Sequence, residues 1–275
     1  MKVGIVGLGL IGGSFAKAYS KDGHSVYAAD TDEAILRFAM LSGAVREQLD
    51  ESNVSDCDLI LICTYPEAAV HFMEDKGPLF GTKPIVIDCC GTKGNIVDKG
   101  FALAEQYGFT YLGGHPMAGK ERSGYANAEP TLFRGASMIF TPFEGTDPAT
   151  VERLKAIFAE IGFARFVVTD PKHHDEMIAY TSQLAHVVSS AYVRDELAAK
   201  HLGFSAGSYQ DMTRVATVDP DIWTDLFLSN REALGGVLGR LIERLGEYRE
   251  AIGKADAGRL RELLAEGRAA KERAH

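Results

Sequence analysis

Tryptophan occurs once and cysteine four times, and no run of about 18 consecutive apolar residues exists. The last absence leaves no segment that reads as a membrane span. Cys57, Cys63, Cys89 and Cys90 lack zinc-ligand spacing and no histidine cluster accompanies them, so no metal is expected. Cys63 and Cys89 stand in apolar runs, as buried free thiols do, which fits a reducing compartment. A basic stripe is also missing. The net charge is −9, and the lysines and arginines of the C-terminal third interleave with glutamates as on solvated helix faces. Nucleic acid is therefore not an expected partner. Nor is there a secretory leader pattern, because Lys2-Val3-Gly4-Ile5-Val6-Gly7 opens straight into strand-like sequence. A cytoplasmic location is the expectation.

What is present is ordinary globular composition, 46% hydrophobic and 24% charged, over 275 residues. That length suits two modest domains. In the first part, short apolar runs alternate with helical patterns. Residues 2–8, 25–30, 59–63, 84–89, 110–114, 136–142 and 165–170 read as strands. Residues 12–22, 32–42, 66–75, 95–107 and 147–162 read as helices. Continuous apolar strands separated by helices indicate an α/β fold with a doubly wound, Rossmann-type parallel sheet. After Pro171 no strand pattern recurs. Residues 173–200 read as one long helix, apolar on most sides, with further helices at 219–230, 231–253 and 256–272. A helix apolar all round is buried in a bundle or across a subunit interface. The expected division is 1–170 for dinucleotide binding and 171–275 for an all-helical substrate and dimerisation domain, in a homodimer.

Gly7-Leu8-Gly9-Leu10-Ile11-Gly12 follows the first strand and opens a helix. Gly7 suits a tight turn, Gly9 a close backbone approach to pyrophosphate, and Gly12 close packing of helix on strand. Asp30 ends the second strand, 18 residues past Gly12. A carboxylate there accepts hydrogen bonds from a ribose and repels a 2′-phosphate, which favours NAD over NADP. The alternative for Asp30 is a strand-end turn residue, with Asp32 nearby able to act as helix cap.

Ligands of open α/β sheets bind beyond the carboxyl ends of the strands. Three later strands end in polar turns: "CTYP" with Thr64, "DCCGTKG" with Gly91, and "GGHPMAGKERSG" with His115. Thr64 and Gly91 join Gly7 to Gly12 and Asp30 as candidate cofactor contacts. Pro116 is expected to end the fifth strand, leaving His115 in a turn beside the nicotinamide. A histidine there suits proton abstraction near neutral pH.

"GLGLIGGS", "DCCGTKG", "GGHPMAGKERSG", "TSQLAH", "SYQDMTRVA" and "DPDIWTDLFLSN" occur in this order. In these motifs the chain resembles the prephenate and arogenate dehydrogenases over nearly its whole length. The resemblance implies NAD-dependent oxidation of a cyclohexadienyl alcohol with loss of carbon dioxide, in tyrosine biosynthesis. His115 matches the family's catalytic base and Arg214 its substrate-carboxylate arginine. By the same resemblance His186, Gln183, Glu121, Gly207 and Trp223 become substrate contacts, although part of the family has histidine where Gln183 stands. Prephenate is the expected substrate and arogenate the alternative. No residue decides between them. A β-hydroxyacid dehydrogenase or imine reductase is a broader rival, and a non-catalytic dinucleotide-sensing protein a more distant one.

One departure concerns His115. Some members carry a supporting serine where this chain has Gly91, so Thr92, a backbone amide or a water is expected to orient the ring. Lys93 reads either as a substrate or cofactor contact or as a helix-start lysine. No mutase-like or ACT-like module is expected to accompany the two domains, so any inhibition by tyrosine would act at the active site.

Overall fold

The computed structural model describes residues 1–120 and 122–274. Eight strands form one sheet: β1 Lys2–Val6, β2 Ser25–Ala29, β3 Glu47–Gln48, β4 Leu59–Ile62, β5 Ile85–Asp88, β6 Thr110–Met117, β7 Ser137–Thr141 and β8 Arg165–Val168. Their order is β3-β2-β1-β4-β5-β6-β7-β8. All neighbours pair in parallel except β6 and β7, which are antiparallel. The helices of this part are α1 Leu10–Lys21, α2 Glu33–Leu41, α3 Pro66–Phe80, α4 Ile96–Tyr107 and α5 Pro148–Glu160.

The two-residue side-chain period explains why the central strands read as unbroken apolar runs. Leu59 and Leu61 pack into one core layer, and Ile60 and Ile62 into the other. Ile85 and Ile87 join the first layer, while Val86 joins the second. Both faces of these central strands are covered, so neither is left for solvent-facing polar residues. β3 escapes sequence reading because Glu47 and Gln48 are both exposed.

Past β8 the chain is helical: α6 Pro171–Ile178, a π-helical segment Ala179–Gln183, α7 Leu184–Tyr192, α8 Gly207–Thr213, α9 Pro220–Ser229, α10 Arg231–Gly253 and α11 Ala257–Arg273. Asp170 caps α6 by accepting from the His173 amide at 2.9 Å. The expected single helix over 173–200 is corrected in two ways. It starts at Pro171 and ends at Tyr192, and its middle is the wider π turn. An Asp195-capped 3₁₀ turn then covers Glu196–Lys200.

The two parts differ in how much they bury. The main core cluster of the helical part is small, Ala179, Leu184, Leu234 and Val237 with partly buried neighbours. Leu197, Leu202, Phe204, Leu228, Ile242 and Leu245 are each more than half exposed. No described helix is long and apolar enough to cross a membrane.

Candidate active site

The glycine loop has one distinct constraint at each glycine. Gly7 has φ +87°, and a Cβ there would meet the Cys63 carbonyl oxygen at 2.9 Å and the Thr64 methyl at 2.9 Å. A Cβ on Gly12 would stand 1.8 Å from the Gly7 carbonyl oxygen. Gly9 caps α1 and faces open space, with nothing within 4 Å of its added Cβ. Leu10 and Ile11 form the first turn of α1, which carries no acidic residue. An exposed helix start without a carboxylate suits a phosphate.

Asp30 follows β2 and accepts from the amides of Leu8 at 2.5 Å and Asp32 at 2.8 Å. Asp32 caps α2 through the amides of Ala34 and Ile35. The two aspartates therefore divide the work, and Asp30 is not the helix cap. Thr64 follows β4 and Gly91 follows β5, so these candidates gather at the carboxyl edge of the sheet. The cradle fits a dinucleotide pyrophosphate, with the Asp30 carboxylate at the end of the next strand. No described group of side chains could hold a metal ion.

His115 lies within β6, opposite Ile139 of β7, and not in a turn beyond the strand. Pairing of β6 with β5 stops at Asp88 and Gly113. Past Gly113 the strand has a neighbour on one side only, so Pro116 can remain in it. The ring is partly buried, and its Nδ1 is 2.8 Å from His174 Nε2. His174 Nδ1 is 2.7 Å from Asp175 Oδ1. That oxygen also accepts from the Lys93 amide at 2.8 Å, and Asp175 Oδ2 from the Gly94 amide at 2.8 Å. Burial pushes the His115 imidazole well below the ordinary 6.5, and the neighbouring His174 and Lys93 push the same way.

Two expectations about the turn after β5 are corrected. The Thr92 hydroxyl lies 3.2 Å from Ser229 Oγ, so it does not serve His115. Lys93 neither reaches the cleft nor stands in solvent. It is fully buried, its Nζ pairs with Asp88 Oδ1, and it donates to the Gly114 carbonyl at 2.6 Å. Tyr111 donates to the other Asp88 oxygen at 2.7 Å.

His115, Gly91 and Leu10 line a cleft of about 560 Å³. The opposite wall brings His186, Gln183, Arg214 and Trp223 from the helical part. His186 donates from Nδ1 to the Val215 carbonyl at 2.8 Å, leaving Nε2 for the cleft. Its ring centroid is 3.8 Å from that of Trp223. Burial lowers the His186 pKa; the bond to Val215 opposes this, and the Arg214 charge adds to it. Gln183 is buried, donating to the Leu226 carbonyl at 3.0 Å and accepting from Asn230 at 2.8 Å. Its amide thus ties α9 to the π segment. Gly207 starts α8 and is not among the residues lining this cleft. Glu121 lies outside the described residues.

Sequence reasoning missed His174, Asp175, Ser182 and Asp219. The last two line the cleft. His174 is 1% exposed although its sequence neighbours are charged, so nothing local reveals its depth. The usable signal was a histidine followed by an acid at the first turn of a helix facing a sheet edge.

Comparison with known proteins agrees with this geometry. Residues 15–168 match the model for the prephenate dehydrogenase nucleotide-binding domain, and residues 170–266 that for its dimerization domain. Prephenate dehydrogenase of Bacillus subtilis is 30% identical over 267 residues, covering 93% of this chain and 71% of that protein. The structure of Synechocystis arogenate dehydrogenase superposes with TM-score 0.84 at 25% identity, covering 100% of both chains. Prephenate dehydrogenase from A. aeolicus, solved with hydroxyphenyl propionate and NAD+, superposes with TM-score 0.83 at 26% identity, covering 100% of this chain and 98% of that one. A glycine-loop cradle, a histidine at the sheet edge and a helical wall facing it thus occur in a chain that belongs, through both of its parts, to the prephenate dehydrogenase family of oxidoreductases.

Proposed function

We propose that this protein is an NAD-dependent prephenate dehydrogenase in which His115 is the base and Arg214 binds a substrate carboxylate. The observation that carries the reading is the cleft itself, with His115 on the sheet wall and Arg214 on the helical wall. Bound NAD supplies the hydride acceptor. As the ring carbon gives up its hydride, the hydroxyl proton passes to His115 Nε2 and a ring ketone results. The ring carboxylate then leaves as carbon dioxide. Its bonding electrons complete the aromatic ring, and the proton on Nε2 returns to the oxygen, giving a phenol. His115 is base in the first step and acid in the second.

Prephenate is preferred to arogenate because the Bacillus subtilis relative, 30% identical, is a prephenate dehydrogenase. Domains meeting near residue 170, a homodimer and a cytoplasmic location complete the proposal. The small helical core and its exposed leucines support the dimer, and four unpaired thiols support the compartment.

Arg214→Gln is expected to raise the KM for prephenate about 10–100-fold. One charged hydrogen-bonding partner contributes roughly 1.5–3 kcal/mol. NAD+ affinity should stay within about twofold. Steady-state rates at varied prephenate, with arogenate in parallel, check this. An unchanged KM removes Arg214 from the carboxylate site.

A further inference from the structure

Asp175 accepts backbone N–H groups at both oxygens, from Lys93 at 2.8 Å and from Gly94 at 2.8 Å. A group that only accepts is a carboxylate. His174 Nδ1, 2.7 Å from Asp175 Oδ1, must therefore carry a proton. With His174 neutral, its Nε2 is bare and His115 Nδ1 at 2.8 Å is the donor to it. This leaves the single lone pair of His115 on Nε2. That atom faces the Gly91 turn, where an added Cβ would stand 4.0 Å away. Gly91 lines the cleft, so the free lone pair is on the substrate side.

We propose that His174 and Asp175 are positioning residues that lock His115 in its Nδ1–H tautomer and take over the positive charge when Nε2 accepts the substrate proton. The proposal rests on His115 being the base. When a proton reaches Nε2, the Nδ1 proton crosses to His174 Nε2. The resulting His174 imidazolium lies against the Asp175 carboxylate. Nothing is oxidised or reduced, and the reverse shift returns the proton to the substrate oxygen. Two adjacent imidazoles thus share one positive charge, held at the pole furthest from substrate.

The surroundings fit this role. His174 is 1% exposed, so water does not compete for either of its nitrogens. The Asn230 side chain donates to the Asp175 carbonyl at 2.9 Å, which holds the middle of α6 to the end of α9. The charged and titratable groups around the pair are Lys93, which with Asp88 lies beneath β6, and across the cleft Arg214 and the imidazole of His186. A cationic His115 beside Lys93 would be penalised, whereas a cationic His174 is met by Asp175. The absent serine at Gly91 is thereby replaced by support from the opposite side of the ring.

The test combines spectroscopy and kinetics on the full-length protein. Long-range 1H–15N spectra of histidine-labelled protein, with His115 assigned by its loss in His115→Asn, should show Nδ1 protonated and Nε2 bare at neutral pH. A His115 protonated at Nε2 overturns the proposal with no further variant needed. His174→Leu should lower kcat roughly 100-fold with KM and NAD+ affinity nearly unchanged. His174→Gln keeps an acceptor for Nδ1–H but cannot take the proton, so it should restore only part of that rate. If His174→Leu binds NAD+ normally and keeps kcat within about twofold, the relay is wrong. In that case a large loss in His115→Asn still leaves the base assignment standing, and an unaffected His115→Asn removes both.

Discussion

His115→Asn is expected to lower kcat about 10²–10⁴-fold, the range for losing a positioned general base, while NAD+ binding is retained. Asparagine keeps a polar side chain at the sheet edge but offers no lone pair able to take a proton at Nε2. The pH dependence sharpens the expectation. A base works when neutral, and His115 is held well below 6.5 by burial, with His174 and Lys93 adding to it. The acid limb of kcat/KM due to this group should therefore fall below pH 6.5, not at the ordinary histidine value. The same shift acts on stability. The unfolded chain binds this proton more readily than the folded one. The histidine's contribution to stability is thus complete above its unfolded value and is lost as pH falls through the lower folded value. Rate profiles and thermal melts between pH 5 and 8 read the two effects separately. An acid limb at or above 6.5 that vanishes in the asparagine variant would contradict the environment described.

Gly12→Ala and Gly9→Ala should fail in different ways, although both remove a glycine from one loop. The Gly12 methyl would stand 1.8 Å from the Gly7 carbonyl oxygen, a backbone atom with no rotamer to change. The loop or α1 must move, at a cost of about 1–3 kcal/mol or more, and the phosphate cradle moves with it. The Gly9 methyl meets nothing within 4 Å. It leaves the fold alone and occupies space that a pyrophosphate would need. Gly12→Ala is expected to lower both the Tm and NAD+ affinity, the latter at least tenfold. Gly9→Ala should leave the Tm within about a degree and weaken NAD+ alone. Equal melting and equal binding for Gly9→Ala would show that the pyrophosphate does not pass over Gly9.

Those glycines were legible in the sequence because spacing alone carries their constraint. The strands were legible for a related reason: Leu59 to Ile62 are apolar on both faces because both faces are covered. β3 was not legible, since Glu47 and Gln48 pair through their backbones and expose their side chains. The strand at β7 was legible but its antiparallel direction was not, because apolar alternation carries no direction. The long helix was misjudged where its period changes. A π turn at Ala179–Gln183 adds a residue to the turn and hides the register that brings Ser182 and Gln183 to the cleft. Lys93 shows the same limit in another form. A lysine in a polar turn reads as a ligand contact or a helix-start residue, yet here the chain folds it under β6 against Asp88. His174 is the most consequential omission. Its partners are 59 residues away in the chain and one residue away, and only the first of these contacts brings it to His115.

The most direct measurement is the steady-state reduction of NAD+ and NADP+ by the purified protein, each with prephenate and with arogenate. The account predicts turnover with prephenate and NAD+ as the preferred pair, with NADP+ disfavoured by the carboxylate of Asp30 beyond β2. Absence of cofactor reduction with both substrates and both cofactors would contradict it.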